Sequence, residues 1–174
     1  NIPVIEDSAE GLGSFFKNKH VGTFGDVGIL SFNGNKIIST GGGGIILTHN
    51  KTIAAAAKKI TTTSKKMHKW NYFHDQVAWN YRLPNINAAI GCAQLRKIKT
   101  ILKRKKKIHK RYKEVFDKSH NFEYFEEPKY SKSNFWLNIV ILKKSQLKLR
   151  DALLNVSHSE GILCRPAWVL LNKL

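Results

Sequence analysis

Three side chains in the first part of the sequence could together act on a bound cofactor. Asp7 ends the apolar run "VIED", Ser31 ends "VGILS", and Lys36 follows in "SFNGNKIISTGGGG", ahead of four consecutive glycines. Pyridoxal phosphate needs an amine for its aldehyde, a carboxylate that keeps its pyridine nitrogen protonated, and small donors for its phosphate. Lys36, Asp7 and Ser31 could supply these three groups.

Two other phosphate-binding motifs do not fit the same region. A P-loop needs G-x-x-x-x-G-K-[ST], but Asn35 separates Gly34 from Lys36. A dinucleotide-binding turn needs G-x-G-x-x-G, and Phe16 stands where its third glycine belongs. Composition alone still favours a simpler interpretation, because a strand-ending aspartate is commonly a turn or cap residue and lysines are abundant in this chain.

The elements that must position these residues follow an α/β pattern. Short β-branched runs indicate buried strands, and we predict three of them, in "IPVIED", "DVGILSF" and "GGGGIILTH". Open α/β sheets bind their ligands at the carboxyl ends of strands. We therefore expect Asp7 and Ser31 at one such edge.

The rest of the chain predicts a connector and a second α/β unit. Helical signals cover residues 51–63 and run from Asn85 to about Lys118, separated by an aromatic-rich loop over 64–75. A strand over 135–142, a helix over 145–161 and a strand beginning in "ILCRPAW" follow. We divide the chain into part of a large domain (1–96), a connecting helix (97–118) and a partial small domain (119–174).

Charge leaves one other class of function open. The 174 residues carry a formal net charge of +18, concentrated in Arg96–Lys113. Apolar residues recur there at helical spacing, so the lysines are expected on the solvated face of an amphipathic helix. Those apolar residues are Ile98, Ile101, Leu102, Ile108 and Tyr112. A nucleic-acid-binding protein is the alternative that we rank last.

Membrane and metal partners are not indicated by the sequence. No apolar run reaches the length of about 18 residues that is needed to cross a bilayer. Cys92 and Cys164 lie far apart without a metal-ligand spacing. We expect a cytoplasmic protein that binds no membrane and no metal.

Longer blocks of the sequence resemble one protein family. "VIEDSAEGLGSFF", "GTFGDVGILSFNGNKIISTGGGG" and "NYRLPNINAAIGCAQL" stand in the order found in the DegT/DnrJ/EryC1/StrS family of pyridoxal phosphate-dependent sugar aminotransferases. The resemblance covers nearly the whole chain. It implies a fold-type-I aminotransferase, in which a large and mostly parallel sheet domain precedes a smaller α/β domain and two subunits form a homodimer.

The resemblance also implies roles for five residues. Lys36 would form the Schiff base with the cofactor, and Asp7 would pair with its pyridine nitrogen. Glu10 would lie against the cofactor ring, Ser31 would bind the phosphate, and Asn80 would reach the phosphate of the cofactor bound by the other subunit. Each also has a structural alternative: a solvated Glu10, a strand-ending Ser31, a turn-capping Asn80. The glycines would make room for the cofactor or for the neighbouring subunit.

The implied reaction moves an amino group from glutamate to a nucleotide-linked 4-keto-6-deoxy sugar, in the biosynthesis of cell-surface polysaccharides and glycans. The blocks most resemble the branch that aminates UDP-4-keto-6-deoxy-N-acetylhexosamines, on the route to bacillosamine- and legionaminic-type sugars. Asn33 and Ala78 depart from the histidine and glycine common in the family. The family's N-terminal region has no counterpart here, so we expect a fragment, and a truncated, catalytically inactive chain is the main alternative.

Overall fold

The elements that position the candidate site come from a computed structural model, which describes residues 2–174. In chain order these elements are the strands β1 (Ile5–Asp7), β2 (Phe15–Phe16), β3 (Lys19–His20), β4 (Val27–Ser31) and β5 (Gly44–Leu47), the helices α1 (Lys51–Thr61), α2 (Asn85–Arg96) and α3 (Ile98–Phe116), the strands β6 (Phe122–Tyr124), β7 (Ser131–Lys132) and β8 (Val140–Leu142), and the helix α4 (Arg150–Ser159). Two 3-10 helices cover Lys144–Leu149 and Leu171–Lys173.

A three-stranded sheet in the order β1-β4-β5 carries the predicted site residues. β1 and β4 are parallel, with Asp7 opposite Ile29, and β5 runs antiparallel to β4, with Gly44 opposite Ser31. The carboxyl ends of β1 and β4 therefore meet at one edge of the sheet, as the sequence predicts. The three predicted strands exist, although each is shorter than the apolar run that indicated it. Their predicted burial is wrong for β1 and β5, where Ile5, Ile45 and Ile46 are each more than two-fifths exposed.

The buried core lies directly next to this edge. Leu30 ends the buried part of β4, and Phe32, Ile37 and Ile38 flank the turn that carries Lys36; all four are less than a tenth exposed. Side chains of α3 pack against this cluster, together with Leu12, Leu47 and Trp136. The loop around Lys36 is thus anchored on both sides by apolar residues, which fixes its position relative to the sheet.

Three of the four consecutive glycines are required by the backbone and packing of this chain itself. Gly41 and Gly43 have φ angles of 81° and 85°, in the left-handed region that favours glycine. A Cβ on Gly43 would lie 2.7 Å from Leu83, and a Cβ on Gly44 would lie 2.5 Å from the carbonyl oxygen of Leu30. The crowding present in the structure therefore comes from residues within this chain.

The predicted long helix is two helices, so the prediction of one continuous connector over Asn85 to Lys118 is wrong. The chain leaves helical geometry at Lys97, with φ −99° and ψ 2°, and α3 begins at the next residue. Apolar periodicity continues across the break and therefore concealed it. α1 begins where predicted, because the Asn50 side chain accepts hydrogen bonds from the N–H groups of Thr52 and Ile53.

Contacts divide the chain into two units. The first unit runs to His109 and also includes Glu127–Leu137, and the second unit consists of Lys110–Glu126 and Asn138–Leu174. The second unit contains the antiparallel pair β6 and β8, with Phe122 opposite Leu142. The sequence-based domain boundaries at residues 96 and 118 stay a prediction.

Three local predictions after residue 130 need correction. The strand predicted over 135–142 exists only as Val140–Leu142, and the left-handed φ of 50° at Phe135 excludes that residue from a strand. The helix predicted over 145–161 begins as a 3-10 helix and becomes α-helical at Arg150. "ILCRPAW" forms no strand in the described chain. No helix within residues 2–174 is both long enough and apolar enough to span a membrane.

Candidate active site

Lys36 is the centre of the candidate site. It lies in the turn after β4, where its N–H donates to the carbonyl of Asn33 at 3.1 Å. Its side chain is only 12% exposed, and its ammonium pairs with the Oε1 atom of Glu10. The Nζ atom also lies 4.5 Å from the centroid of the Trp136 ring. The amine is therefore held between a carboxylate and an indole face, both of which attract a cation.

Glu10 reaches Lys36 from the loop after β1. Gly11 closes a turn there by donating to the carbonyl of Ser8 at 2.8 Å. The backbone carbonyl of Glu10 accepts from the side-chain amide of Asn134 at 2.5 Å. Its carboxylate is about half exposed, so the pair with Lys36 is accessible to solvent from the Glu10 side.

Asp7 and Ser31 lie on neighbouring strand ends, as their positions in the sequence predict. The chain after β1 crosses to β4: Ser8 donates to the carbonyl of Ile29 at 3.0 Å, and Ser31 donates to the carbonyl of Ala9 at 3.3 Å. The Asp7 carboxylate accepts from the N–H of Ala9, and the Ser31 hydroxyl accepts from the N–H of Asn33. Each side chain thus accepts a hydrogen bond from the backbone two residues later. Both lie at the sheet edge that is followed by the turn containing Lys36.

Asn80 lies in a separate part of the first unit. It forms a bridge with Thr62, between hydrogen bonds from Trp79 to Ile60 and from Tyr81 to Thr61, each 2.9 Å long. Asn80 is exposed, and its side chain makes no hydrogen bond to any residue between 2 and 174. The structure of this single chain does not bring Asn80 together with the other four predicted residues.

Two residues of the site were not predicted from the sequence. Trp136 covers Lys36, and its indole N–H donates to the carbonyl of Asn35 at 2.6 Å. Asn134 is 5% exposed and donates to the carbonyls of Glu10 and Leu12. Both stand in "SNFWLN", whose apolar content favours a strand. Asn134 ends the polar stretch "SKSN" directly before that apolar run, so its residue type gave no signal that it would be buried.

Glu6, next to Asp7, has a structural role at the same strand. Its carboxylate accepts hydrogen bonds from the N–H groups of Gly22, Phe24 and Gly25, at 2.5–2.8 Å. Partial burial raises the pKa of the Glu6 carboxyl, but the three backbone donors and the nearby Lys19 ammonium outweigh it and lower the pKa below its ordinary value of 4.5. Glu6 therefore holds the loop before β4 as an anion.

Other parts of the first unit do not reproduce this combination of groups. A groove of about 780 Å³ lies between β5, α1 and the segment around Tyr81, lined by isoleucines, threonines and Arg82, and none of the five predicted residues lines it. Among residues 2–174, no group of three or more histidine, cysteine, aspartate or glutamate side chains could hold a metal ion.

Comparison with known proteins bears on the whole chain. The sequence model of the DegT/DnrJ/EryC1/StrS aminotransferase family matches residues 1–173. EpsN of Bacillus subtilis (strain 168), a candidate pyridoxal phosphate-dependent aminotransferase, is 36% identical over 169 residues, covering 96% of this chain and 42% of EpsN. The GDP-perosamine synthase of Escherichia coli O157:H7 is 41% identical over 113 residues, covering 65% of this chain and 31% of that enzyme. A UDP-4-amino-4,6-dideoxy-N-acetyl-beta-L-altrosamine transaminase of Campylobacter jejuni (strain 81-176) is 33% identical over 145 residues, covering 82% of this chain and 38% of that enzyme.

Solved structures share the fold. The aminotransferase TlmJ from Streptoalloteichus hindustanus superposes with a TM-score of 0.88 at 25% identity, covering 96% of this chain and 45% of TlmJ. The GDP-4-keto-6-deoxy-D-mannose-3-dehydratase of E. coli with bound hydrated pyridoxal phosphate superposes with a TM-score of 0.81 at 26% identity, covering 95% of this chain and 46% of the dehydratase. The predicted fold class, part of a fold-type-I pyridoxal phosphate enzyme, is confirmed. The chain spans less than half the length of the relatives it matches.

Proposed function

Because the chain belongs to the DegT/DnrJ/EryC1/StrS aminotransferase family, we propose that it forms the lysine-bearing part of a site that binds pyridoxal phosphate and transfers an amino group to a nucleotide-linked 4-keto-6-deoxy sugar. One observation carries the proposal. A largely buried lysine is held next to a carboxylate, at the strand edge that also carries Asp7 and Ser31. The family's cofactor fits these groups, since they supply an amine, carboxylates and a hydroxyl.

Each of these side chains has a proposed task. Pyridoxal phosphate, when bound, supplies the electron sink for negative charge at a substrate carbon. The Asp7 carboxylate would accept a hydrogen bond from the protonated pyridine nitrogen and keep that proton in place. The Ser31 hydroxyl would donate to the phosphate. The Nζ atom of Lys36 would bind the cofactor's aldehyde carbon and, once displaced, carry a proton to and from the substrate carbon.

Glu10 and Asn80 complete the proposed site from two directions. Glu10 already contacts the Lys36 ammonium, which places its carboxylate next to the atom that would bind the cofactor. We propose that it borders the cofactor ring. Asn80 is exposed and its side chain has no hydrogen bond to the described part of the chain, which supports a role in another subunit's site. That role makes a homodimer part of the proposal.

Glutamate is the proposed amino donor, and a UDP-linked 4-keto-6-deoxy-N-acetylhexosamine is the proposed acceptor. Support for the acceptor comes from relatives named for GDP-perosamine and for a UDP-linked amino sugar. A catalytically inactive chain stays the main alternative. The cytoplasmic location also stays a prediction.

An absorbance titration of the purified chain tests the proposal. Pyridoxal phosphate added to the chain should produce a band near ~420 nm, which is typical of the cofactor bound through a lysine amine. Lys36→Ala should lack this band, whereas Lys99→Ala, which removes an exposed lysine of α3, should retain it. Glutamate should then bleach the band. Identical spectra for the chain and Lys36→Ala would refute the proposed cofactor role of Lys36, and a stable band that glutamate leaves unchanged would favour the inactive alternative.

A further inference from the structure

A short segment from far along the chain reaches the candidate site and is unusually well held. We define Ser133–Leu137 as the strap. Within the strap, the side-chain amide of Asn134 donates to the carbonyls of Glu10 at 2.5 Å and Leu12 at 3.0 Å, and its N–H donates to the Ser14 hydroxyl at 3.0 Å. Asn134 is 5% exposed, so these bonds are shielded from water. The strap is therefore tied to the loop that carries Glu10.

The middle of the strap has a costly backbone conformation. Phe135 has a φ of 50°, in the left-handed region that is rare for aromatic residues. Its ring is buried and stacks on His109 at 3.9 Å. The preceding Ser133 hydroxyl accepts from the N–H of Phe135, and the side-chain carbonyl oxygen of Asn134 accepts from the N–H of Trp136. Strain of this kind persists where neighbouring contacts over-determine it, and it commonly serves a functional site.

The result of this turn is the placement of Trp136 on Lys36. The indole N–H donates to the carbonyl of Asn35 at 2.6 Å, and the ring lies 4.5 Å from the Lys36 ammonium. The Trp136 carbonyl accepts from the Lys105 ammonium of α3 at 3.2 Å. One side chain thus contacts both the backbone before Lys36 and the reactive end of Lys36.

We propose that Trp136 is a positioning residue that orients the Lys36 amine for capture of an aldehyde cofactor. The identity of that cofactor rests on the proposed function, but the orientation of Lys36 does not. Two contacts act together in this role: the indole N–H donates to the carbonyl of Asn35, and the ring face contacts the ammonium that also pairs with Glu10. Trp136 acts through Lys36: its ring contacts the Lys36 ammonium, and no contact of Trp136 with the cofactor or the substrate is part of the proposal.

Positioning and simple shielding predict different results for two quantities, the acetylation rate of Lys36 and the affinity of the chain for pyridoxal phosphate. A residue that only covered Lys36 would, on removal, leave the amine more reactive toward every reagent. A positioning residue, on removal, leaves the amine more reactive toward a small soluble reagent but less able to capture a cofactor that must fit the site. The two measurements therefore distinguish positioning from shielding.

The experiment compares Trp136→Leu and Trp136→Phe with the matched variant Trp70→Leu. Trp70 also lies near a lysine ammonium, with Lys69 at 4.8 Å from its ring, but it is exposed. The cofactor-free chain is acetylated with N-hydroxysulfosuccinimide acetate, and peptide mass spectrometry gives the rate at Lys36 relative to Lys99. Pyridoxal phosphate capture is measured separately by absorbance.

Loss of the ring should raise the relative acetylation rate of Lys36 in Trp136→Leu by about threefold to tenfold, as expected for a partly shielded cation–π contact. Trp136→Phe, which keeps a ring face, should change this rate by less than about twofold, and so should Trp70→Leu. Affinity for pyridoxal phosphate should fall about tenfold in Trp136→Leu. Circular dichroism confirms folding, and Trp136→Met replaces the leucine variant if that variant unfolds.

Several results would overturn the positioning role. An unchanged Lys36 rate in the leucine or methionine variant would show that the ring does not hold the amine. A joint rise in acetylation and in cofactor affinity would make Trp136 a shield. If the unsubstituted chain binds no pyridoxal phosphate, the proposed function fails and the positioning role fails with it. If the unsubstituted chain binds the cofactor and Trp136→Leu keeps the same affinity, only the positioning role is refuted.

Discussion

Glu6 shows how a single side chain can explain one of the sequence blocks. The block "GTFGD" supplies three N–H groups, from Gly22, Phe24 and Gly25, and all three donate to the Glu6 carboxylate. Asp26, the last residue of the block, accepts from the N–H of Val4 at 2.8 Å. Asp7 is thus positioned by Glu6, which precedes it in β1, and by the pairing of β1 with β4. This part of the family resemblance reflects loop architecture rather than chemistry at the cofactor.

Glu6→Gln should lower the free energy of unfolding by about 1–3 kcal/mol, because an amide offers one weak acceptor oxygen to three donors that now share a charged group. Urea denaturation followed by circular dichroism measures the change. Glu114→Gln, at an exposed position of α3, is the control and should stay within about 0.5 kcal/mol of the unsubstituted chain. A Glu6→Gln chain as stable as the control would mean that water replaces these bonds without loss.

The same carboxylate predicts a pH dependence. Its pKa is lowered in the folded chain, so the folded state binds its proton less readily than the unfolded state. The stability that Glu6 contributes is therefore fully present above the ordinary pKa of 4.5 and is lost as the pH falls through the lower folded value. The difference in midpoint between Glu6→Gln and the unsubstituted chain should be largest near neutral pH and shrink in acid. A difference that grew in acid would contradict this assignment.

At the scale of elements, α2 holds the segment that follows Lys36. The side-chain amide of Gln94 donates to the carbonyl of Ser39 and accepts from its N–H, and Asn87 donates to the carbonyl of Thr40 at 2.6 Å. A Cβ on Gly91 would come within 3.0 Å of Thr40. The block "AAIGCAQL" therefore serves to dock α2 on the turn between Lys36 and the glycines.

Gln94→Ala should lower the free energy of unfolding by about 1–3 kcal/mol, since it leaves both backbone groups of Ser39 without their partner. Cys92→Ala removes an exposed side chain from the same helix and should be nearly neutral. Thermal unfolding of the two variants in parallel gives the comparison. Equal midpoints would show that the Ser39 backbone finds other partners without cost.

Strand β4 passes unusually close to the loop that Glu6 holds. A Cβ on Gly28 would lie 1.9 Å from the carbonyl oxygen of Gly22, a distance that backbone cannot accommodate without moving. Gly28→Ala should therefore cost about 3 kcal/mol or more, the range of severe overpacking. A Cβ on Gly34 would meet no atom within 4 Å, and its φ is not left-handed, so Gly34→Ala should be close to neutral. A folded Gly28→Ala chain of unchanged stability in urea would contradict the close approach.

For the molecule as a whole, sequence reasoning succeeded where the signal is local. Strand ends at Asp7 and Ser31 follow from short β-branched runs closed by polar residues, and α1 follows from the helical signals over residues 51–63. The pairing of Lys36 with Glu10 was not predicted, although both residues stand in family blocks next to strand ends. The parallel pairing of β1 and β4 then brings those blocks together.

What the sequence did not predict depends on contacts between distant residues. Trp136 reaches Asn35 across about a hundred positions, and no periodicity reports such a contact. The strand predicted over 135–142 failed because the hydrogen bonds of Asn134 and the packing of Phe135 outweigh local β propensity. The break at Lys97 was not predicted because apolar residues recur at helical spacing through both α2 and α3. This spacing does not imply burial, since Ile86 and Ile90 of α2 are exposed.

The net charge of +18 acts on the whole molecule at once. Lys103 and Lys107, one turn apart on the exposed side of α3, contribute like-charge repulsion that salt screens over about 10 Å at 0.1 M. Raising NaCl from about 10 to about 300 mM should therefore raise the midpoint of thermal unfolding by about 2–5 °C. Lys103→Glu with Lys107→Glu brings the net charge down by four and should flatten this response, and the paired glutamine replacements should fall between. A midpoint that fell with salt, or that rose equally in all three chains, would show that attractive ion pairs or salt effects unrelated to charge dominate instead.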